Sequence, residues 1–78
     1  MIINLNHGAE VIVIIFEEQD WRENIVGVQN AIGCIKSLGP VRKNPDGFSY
    51  DPIDRQWRLR HTPENVAFAE QIKKEFDL

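Results

Sequence analysis

The stretch Phe48-Ser49-Tyr50-Asp51-Pro52-Ile53-Asp54-Arg55-Gln56-Trp57-Arg58-Leu59-Arg60 decides the fold. Its two arms, Phe48-Ser49-Tyr50 and Trp57-Arg58-Leu59-Arg60, alternate apolar and polar residues, the period of a strand with one buried face. Between them Asp51-Pro52-Ile53-Asp54 places proline at the second turn position, as a type I turn prefers. The spacing predicts a β-hairpin with Phe48, Tyr50, Trp57 and Leu59 facing the core and Ser49, Arg58 and Arg60 facing out. A hairpin with one apolar face needs a second layer to cover it.

The flanks supply that layer. On the C-terminal side, Thr62 is the expected N-cap of a helix, Pro63 its first residue, and Glu64 favours its positive end. Val66, Ala69, Ile72 and Phe76 form a stripe at helical period, and Lys73 and Lys74 sit where the dipole favours cations. On the N-terminal side, Val41 to Gly47 reads as loop, with Asn44-Pro45-Asp46-Gly47 a dense turn signal. Gly39-Pro40 stops a preceding helix. That helix is expected to run as one piece from Asp20, its N-cap with Glu23 at capping-box spacing, to Leu38. Trp21, Ile25, Val28, Ile32, Ile35 and Leu38 give it a continuous buried stripe. Gly27 and Gly33 weaken it, and close approach of the helix to the sheet is the expected reason.

Before the helix, Val11 to Phe16 holds five β-branched residues and reads as a strand that is central or covered on both faces. Ile2, Ile3 and Leu5 read as another strand. The two form a hairpin about His7-Gly8 or one long bent strand. The order ββαββα is an α+β fold, expected as a small two-layer sandwich. Its strands are antiparallel, two helices pack on one sheet face, and residues 1–78 form a single domain. The pattern leaves the strand order open.

Composition narrows the function. A chain of 78 residues has room for one core. With 42% hydrophobic and 27% charged residues, the composition disfavours disorder along the whole chain. The one cysteine, Cys34, makes an internal disulfide impossible and reads as a small buried hydrophobe. Two scattered histidines, His7 and His61, add no zinc signature, so neither metal nor other cofactor is expected. The longest apolar run, Val11 to Phe16, falls short of the ~20 residues of a membrane span. No basic segment precedes it. A cytoplasmic protein without membrane contact is the expectation. No phosphate loop, nucleophile elbow or paired metal motif is present, so the protein is expected not to be an enzyme. The cluster Glu17, Glu18 and Asp20 reads as a solvated loop that biases charge toward the next helix start.

Charge is distributed unevenly. The net charge of −3 disfavours a surface that is basic throughout. Yet residues 36–61 hold Lys36, Arg42, Lys43, Arg55, Arg58 and Arg60 against three aspartates, two-thirds of all Lys and Arg in one third of the chain. Guanidinium offers a rigid two-pronged donor set for phosphate or carboxylate. Arg58 and Arg60 point the same way on a strand, about 6–7 Å apart. That matches successive phosphates of a nucleic acid strand and also two separate carboxylates. Arg42 and Lys43 extend the track and Ser49 adds a hydroxyl. The same arginines also suit a solvated edge strand, or pairing with Asp51, Asp54, Glu17 or Glu18.

Tyr-Asp-Pro, a short turn, arginine and then tryptophan, followed by a helix, resembles the HARP-type motif that accompanies annealing helicases and DNA-remodelling ATPases. The resemblance covers about residues 48–76, under half the chain. It implies a strand–turn–strand–helix module contacting DNA, present as an accessory version because the chain has no room for an ATPase. It implies that Arg55, Arg58 and Arg60 meet DNA while Tyr50 and Trp57 hold the hairpin.

The expected function is therefore a non-catalytic accessory domain. It binds single-stranded or forked nucleic acid through Arg42, Lys43, Arg55, Arg58 and Arg60. The competing expectation is a protein-interaction module or inhibitor-type small protein, monomer or homodimer. It would dock a partner, or self-associate through an edge strand carrying Ile2 and Ile3.

Overall fold

Ile12 and Leu59, from opposite halves of the chain, face each other at the centre of the sheet. Strand β2 (Val11–Ile15) pairs antiparallel with β4 (Gln56–Arg60), in a register that sets Val11 opposite Arg60, Ile12 opposite Leu59, Val13 opposite Arg58 and Ile14 opposite Trp57. Strand β1 (Ile2–Asn4) adds antiparallel to β2, and β3 (Phe48–Asp51) adds antiparallel to β4. The order across the sheet is β1-β2-β4-β3. The computed structural model describes residues 1–5 and 10–78. The antiparallel pairing of β1 with β2 selects two strands over one bent strand, while the expected turn at His7-Gly8 lies outside the described residues.

The alternation reads through to burial. Ile12, Ile14, Trp57 and Leu59 are buried and join one cluster with Ala31, Ile35, Ala69 and Ile72 of the helices. Truncating one of the fully buried isoleucines to alanine is worth about 2–5 kcal/mol in such a site. β2 is central, yet covered on one face only. Val11 is exposed and Val13 and Ile15 half-buried, so its apolar run does not mark a strand covered on both faces. The radius of gyration, 11.8 Å, is that of a compact chain of this length, ~11.5 Å.

The fold is α+β with a four-stranded antiparallel sheet, as expected, but with three helices where two were expected. The stretch 20–38 is not one helix capped by Asp20. Helix α1 (Glu18–Glu23) has Glu17 as its N-cap, and Asp20 is its third residue, where Oδ2 accepts the Glu17 N–H at 2.8 Å. Asn24 then leaves helical geometry and starts α2 (Ile25–Ser37). Its Oδ1 accepts the Gly27 N–H at 3.0 Å, and its Nδ2 donates to the Phe76 carbonyl at 3.4 Å. Asparagine offers the backbone a local alternative to the helical ladder, and here a long-range contact confirms the choice. The break rotates α1 out of the stripe. Trp21 of α1 is exposed, as is Ile25 at the start of α2, whereas Val28, Ala31 and Ile35 stay buried.

The glycines of α2 also differ from expectation. A side chain at Gly27 would collide with the Asn24 cap, not with the sheet, and Gly33 faces open space. Gly39 takes φ +80 just past the helix, the left-handed position that stops α2. Helix α3 (Pro63–Phe76) begins as expected, with Thr62 Oγ1 accepting the Asn65 N–H at 3.1 Å. Cys34 lies half-buried against the core. Among the described residues no helix is long and apolar enough to cross a membrane.

Candidate functional site

Because Trp57 and Leu59 are drawn into the core, Arg58 and Arg60 must project from the opposite, helix-free face of β4. There they sit between Val13 and Ser49, and beside Val11, in the registers of the two neighbouring strands. On this face the sheet meets the loop 41–47, and the two enclose a cleft of about 590 Å3 lined by Ser49, Arg58, Arg60, His61 and Glu10.

The loop wall is ordered by its own hydrogen bonds. The N–H groups of Lys43 and Asn44 donate to the Pro40 carbonyl at 2.9 and 3.0 Å, and Asn44 Nδ2 donates to the Leu38 carbonyl at 3.0 Å. The Val41 N–H donates to the Phe48 carbonyl at 2.9 Å, which ties the loop to β3. Asn65 clamps the other side. It is 5% exposed, and its Nδ2 donates to the carbonyls of Asp46 at 3.2 Å and Arg60 at 2.9 Å. A buried amide satisfied in this way fixes the loop against the end of β4. Its role was not legible from sequence, because one of its partners lies 19 residues away.

The two arginines are not equivalent. Arg58 is bound into the turn that follows β3. Its Nη2 lies 3.0 Å from Asp51 Oδ2 and 3.8 Å from Asp54 Oδ2, and donates to Gln56 Oε1 at 3.0 Å. The pairing with Asp51 and Asp54 that the sequence allowed is thus present. Asp51 also organises the turn, its Oδ1 accepting the N–H groups of Ile53 at 2.9 Å and Asp54 at 3.2 Å. Those two N–H groups, with Arg58 behind them, hold the Asp51 carboxyl below the usual carboxylate range. Arg60 is the more available: its side chain is 64% exposed, with Asp46 at 3.8 Å.

The five expected contact residues fall into three places. Arg58 and Arg60 line the cleft together. Arg42 and Lys43 are exposed on the turn that continues its wall. Arg55 lies at the other end of β4, in the β3–β4 turn, with φ +54. It lines a different cleft of about 460 Å3, with Phe16, Glu18, Trp21, Tyr50 and Trp57.

That second cleft was not anticipated. Tyr50 was expected in the core, yet it is 44% exposed. β3 is the edge of the sheet, so Tyr50 rests on Trp57, ring centroids 4.6 Å apart, with one side left open. Trp21 is 43% exposed on α1, which the break at Asn24 turned away from the core. The signal available in the sequence was the non-helical preference of Asn24, three residues after Trp21.

Compared with known proteins, the chain matches no family model, no curated protein and no solved structure at a significant level.

Proposed function

We propose that the protein is a non-catalytic accessory module that binds single-stranded or forked nucleic acid across the helix-free end of β4 and the loop 41–47. The observation that carries this reading is the cleft in which the exposed fork of Arg60 stands beside Ser49 and an ordered loop bearing Arg42 and Lys43. A rigid, exposed guanidinium with further cations alongside suits phosphate oxygens. Among the described residues no Phe, Tyr or Trp lines this cleft, so its contacts are assigned to the backbone, without base preference. Arg60, Arg42 and Lys43 make the phosphate contacts, while Arg58 chiefly braces the turn through Asp51 and Asp54. The resemblance of residues 48–76 to a DNA-contacting module points the same way.

The test is amide chemical-shift mapping of the 15N-labelled protein titrated with a forked DNA. Shifts concentrated at residues 42–43, 49 and 58–61 are expected. No shifts, or shifts confined to β1, contradict the reading.

A second reading rests on a separate observation. β1 is an edge strand with Ile2 exposed, and Ile2 stands opposite Ile15 on the face that also carries Val11 and Val13. An edge beside an aliphatic row favours strand addition by a partner or a second copy. Concentration-dependent mass in light scattering, lost in Ile2→Lys, is its signature.

A further inference from the structure

The second cleft is built from the largest apolar side chains of the chain, and two of them are left open to solvent. Phe16 and Trp57 form its floor. Trp21 from α1 and Tyr50 from the edge strand stand at its walls, each more than two-fifths exposed. A chain this short has few large side chains to spare from its core, so leaving both open calls for a reason. At about 460 Å3 the cleft lies within the ~300–1,000 Å3 of small-ligand sites.

Charge selects the occupant. An aromatic box can take an organic cation through its ring faces. Lys36 Nζ, which lies outside this lining, is 5.9 Å from the Trp57 ring centroid and disfavours a second cation on that ring. Among the described residues the one carboxylate in the lining, Glu18, is exposed and pairs with Arg22 at 2.6 Å. What remains at the cleft is Arg55. It holds a left-handed backbone conformation that favours glycine or asparagine and costs an arginine. Rings with an exposed guanidinium beside them fit a planar aromatic group that carries an anion.

We propose that this cleft takes a base of a single-stranded nucleic acid, stacked against Trp21 and Tyr50, with its phosphate on Arg55. The inference rests on the nucleic-acid reading above and adds to it a contact that phosphate binding alone does not supply. The cleft and Arg60 stand at opposite ends of β4, about 13 Å of strand apart, and on opposite faces of the sheet, so a strand that engages both passes around the β3 edge. A bound strand therefore meets the protein at two places: a phosphate contact at Arg60 and a base contact at Trp21 and Tyr50.

The test compares an oligothymidylate of about 12 nucleotides with an abasic strand of the same number of phosphates, by fluorescence anisotropy and by tryptophan emission. The thymidine strand is expected to bind about tenfold tighter than the abasic one and to quench tryptophan emission. Trp21→Ala and Tyr50→Ala, both at exposed positions, are expected to bring it down to the abasic level. Arg55→Gly is expected to weaken both strands severalfold without loss of fold, because glycine is at ease in that backbone conformation. Arg60→Ala is expected to weaken both strands and leave their ratio unchanged. Equal binding of the two strands with unmoved emission overturns the base contact and leaves the phosphate reading standing. No binding of either strand at about 20 mM salt overturns both. Quenching by a trimethyl-lysine peptide but not by thymidine overturns the choice of occupant.

Discussion

Asp51 Oδ2 lies 3.0 Å from the Arg58 guanidinium, and Asp51 Oδ1 at the same time accepts the N–H groups of Ile53 and Asp54. One carboxylate thus shapes the β3–β4 turn and holds the arginine that the charge pattern alone would assign to a ligand. Arg58→Ala is expected to lower stability by about 0.5–1 kcal/mol, as a partly exposed pair allows, and to reduce nucleic-acid binding only slightly. Arg60→Ala is expected to leave stability unchanged and to weaken binding clearly. Denaturant melts and binding isotherms of the two variants check this, and a reversed ranking contradicts it.

The lowered carboxyl of Asp51 gives the turn a pH signature. A depressed native pKa means that the unfolded chain takes up the proton first as pH falls. The stabilisation is complete above the ordinary aspartate value of about 3.9 and is lost as pH drops through the lower native value. Asp51→Asn keeps the acceptor for the turn but removes the charge, so its acid unfolding profile is expected to be flatter than that of the wild type below about pH 4. Parallel profiles contradict the assignment.

Gly27 and Gly33 lie in the same helix and predict opposite outcomes. Gly33→Ala meets nothing and gains helix propensity, about 0.5–1 kcal/mol, which in a chain of this size raises Tm by several degrees. Gly27→Ala collides with the Asn24 cap and is expected to destabilise. Thermal melts of the two variants provide the comparison, and stabilisation by both contradicts the role given to Asn24.

Asn65 joins the loop to the end of β4. Asn65→Ala strands the Asp46 and Arg60 carbonyls and is expected to cost about 1–3 kcal/mol. Faster amide exchange at Asp46 and Gly47 should accompany the loss, while α2 exchanges at a rate set by the lower global stability. Unchanged exchange in the loop contradicts the clamp.

The legible parts of the fold were those decided within a few residues. Alternation and turn chemistry delivered the β3–β4 hairpin, Thr62-Pro63 the start of α3, and Gly39-Pro40 the end of α2. The rest depended on partners distant in sequence. The break at Asn24 is held partly by the Phe76 carbonyl, 52 residues away. Tyr50 is open because β3 is an edge, and strand order has no local signature. The same holds for the candidate site. Arg58 and Arg60 were placed on one outward face by period alone, but only their neighbours in space separate the braced arginine from the exposed one.

Fluorescence anisotropy of a labelled single-stranded DNA at about 50 and 200 mM salt, with wild type and Arg60→Ala side by side, tests the central claim most directly. With three or four phosphate contacts the slope of log affinity against log salt is expected near −2 to −3, a loss of roughly 15- to 65-fold over that range. Arg60→Ala is expected to bind more weakly throughout and to lower the slope by about 0.7. Absence of binding at the lower salt up to about 100 µM protein, or binding that neither salt nor Arg60→Ala alters, contradicts the proposed function.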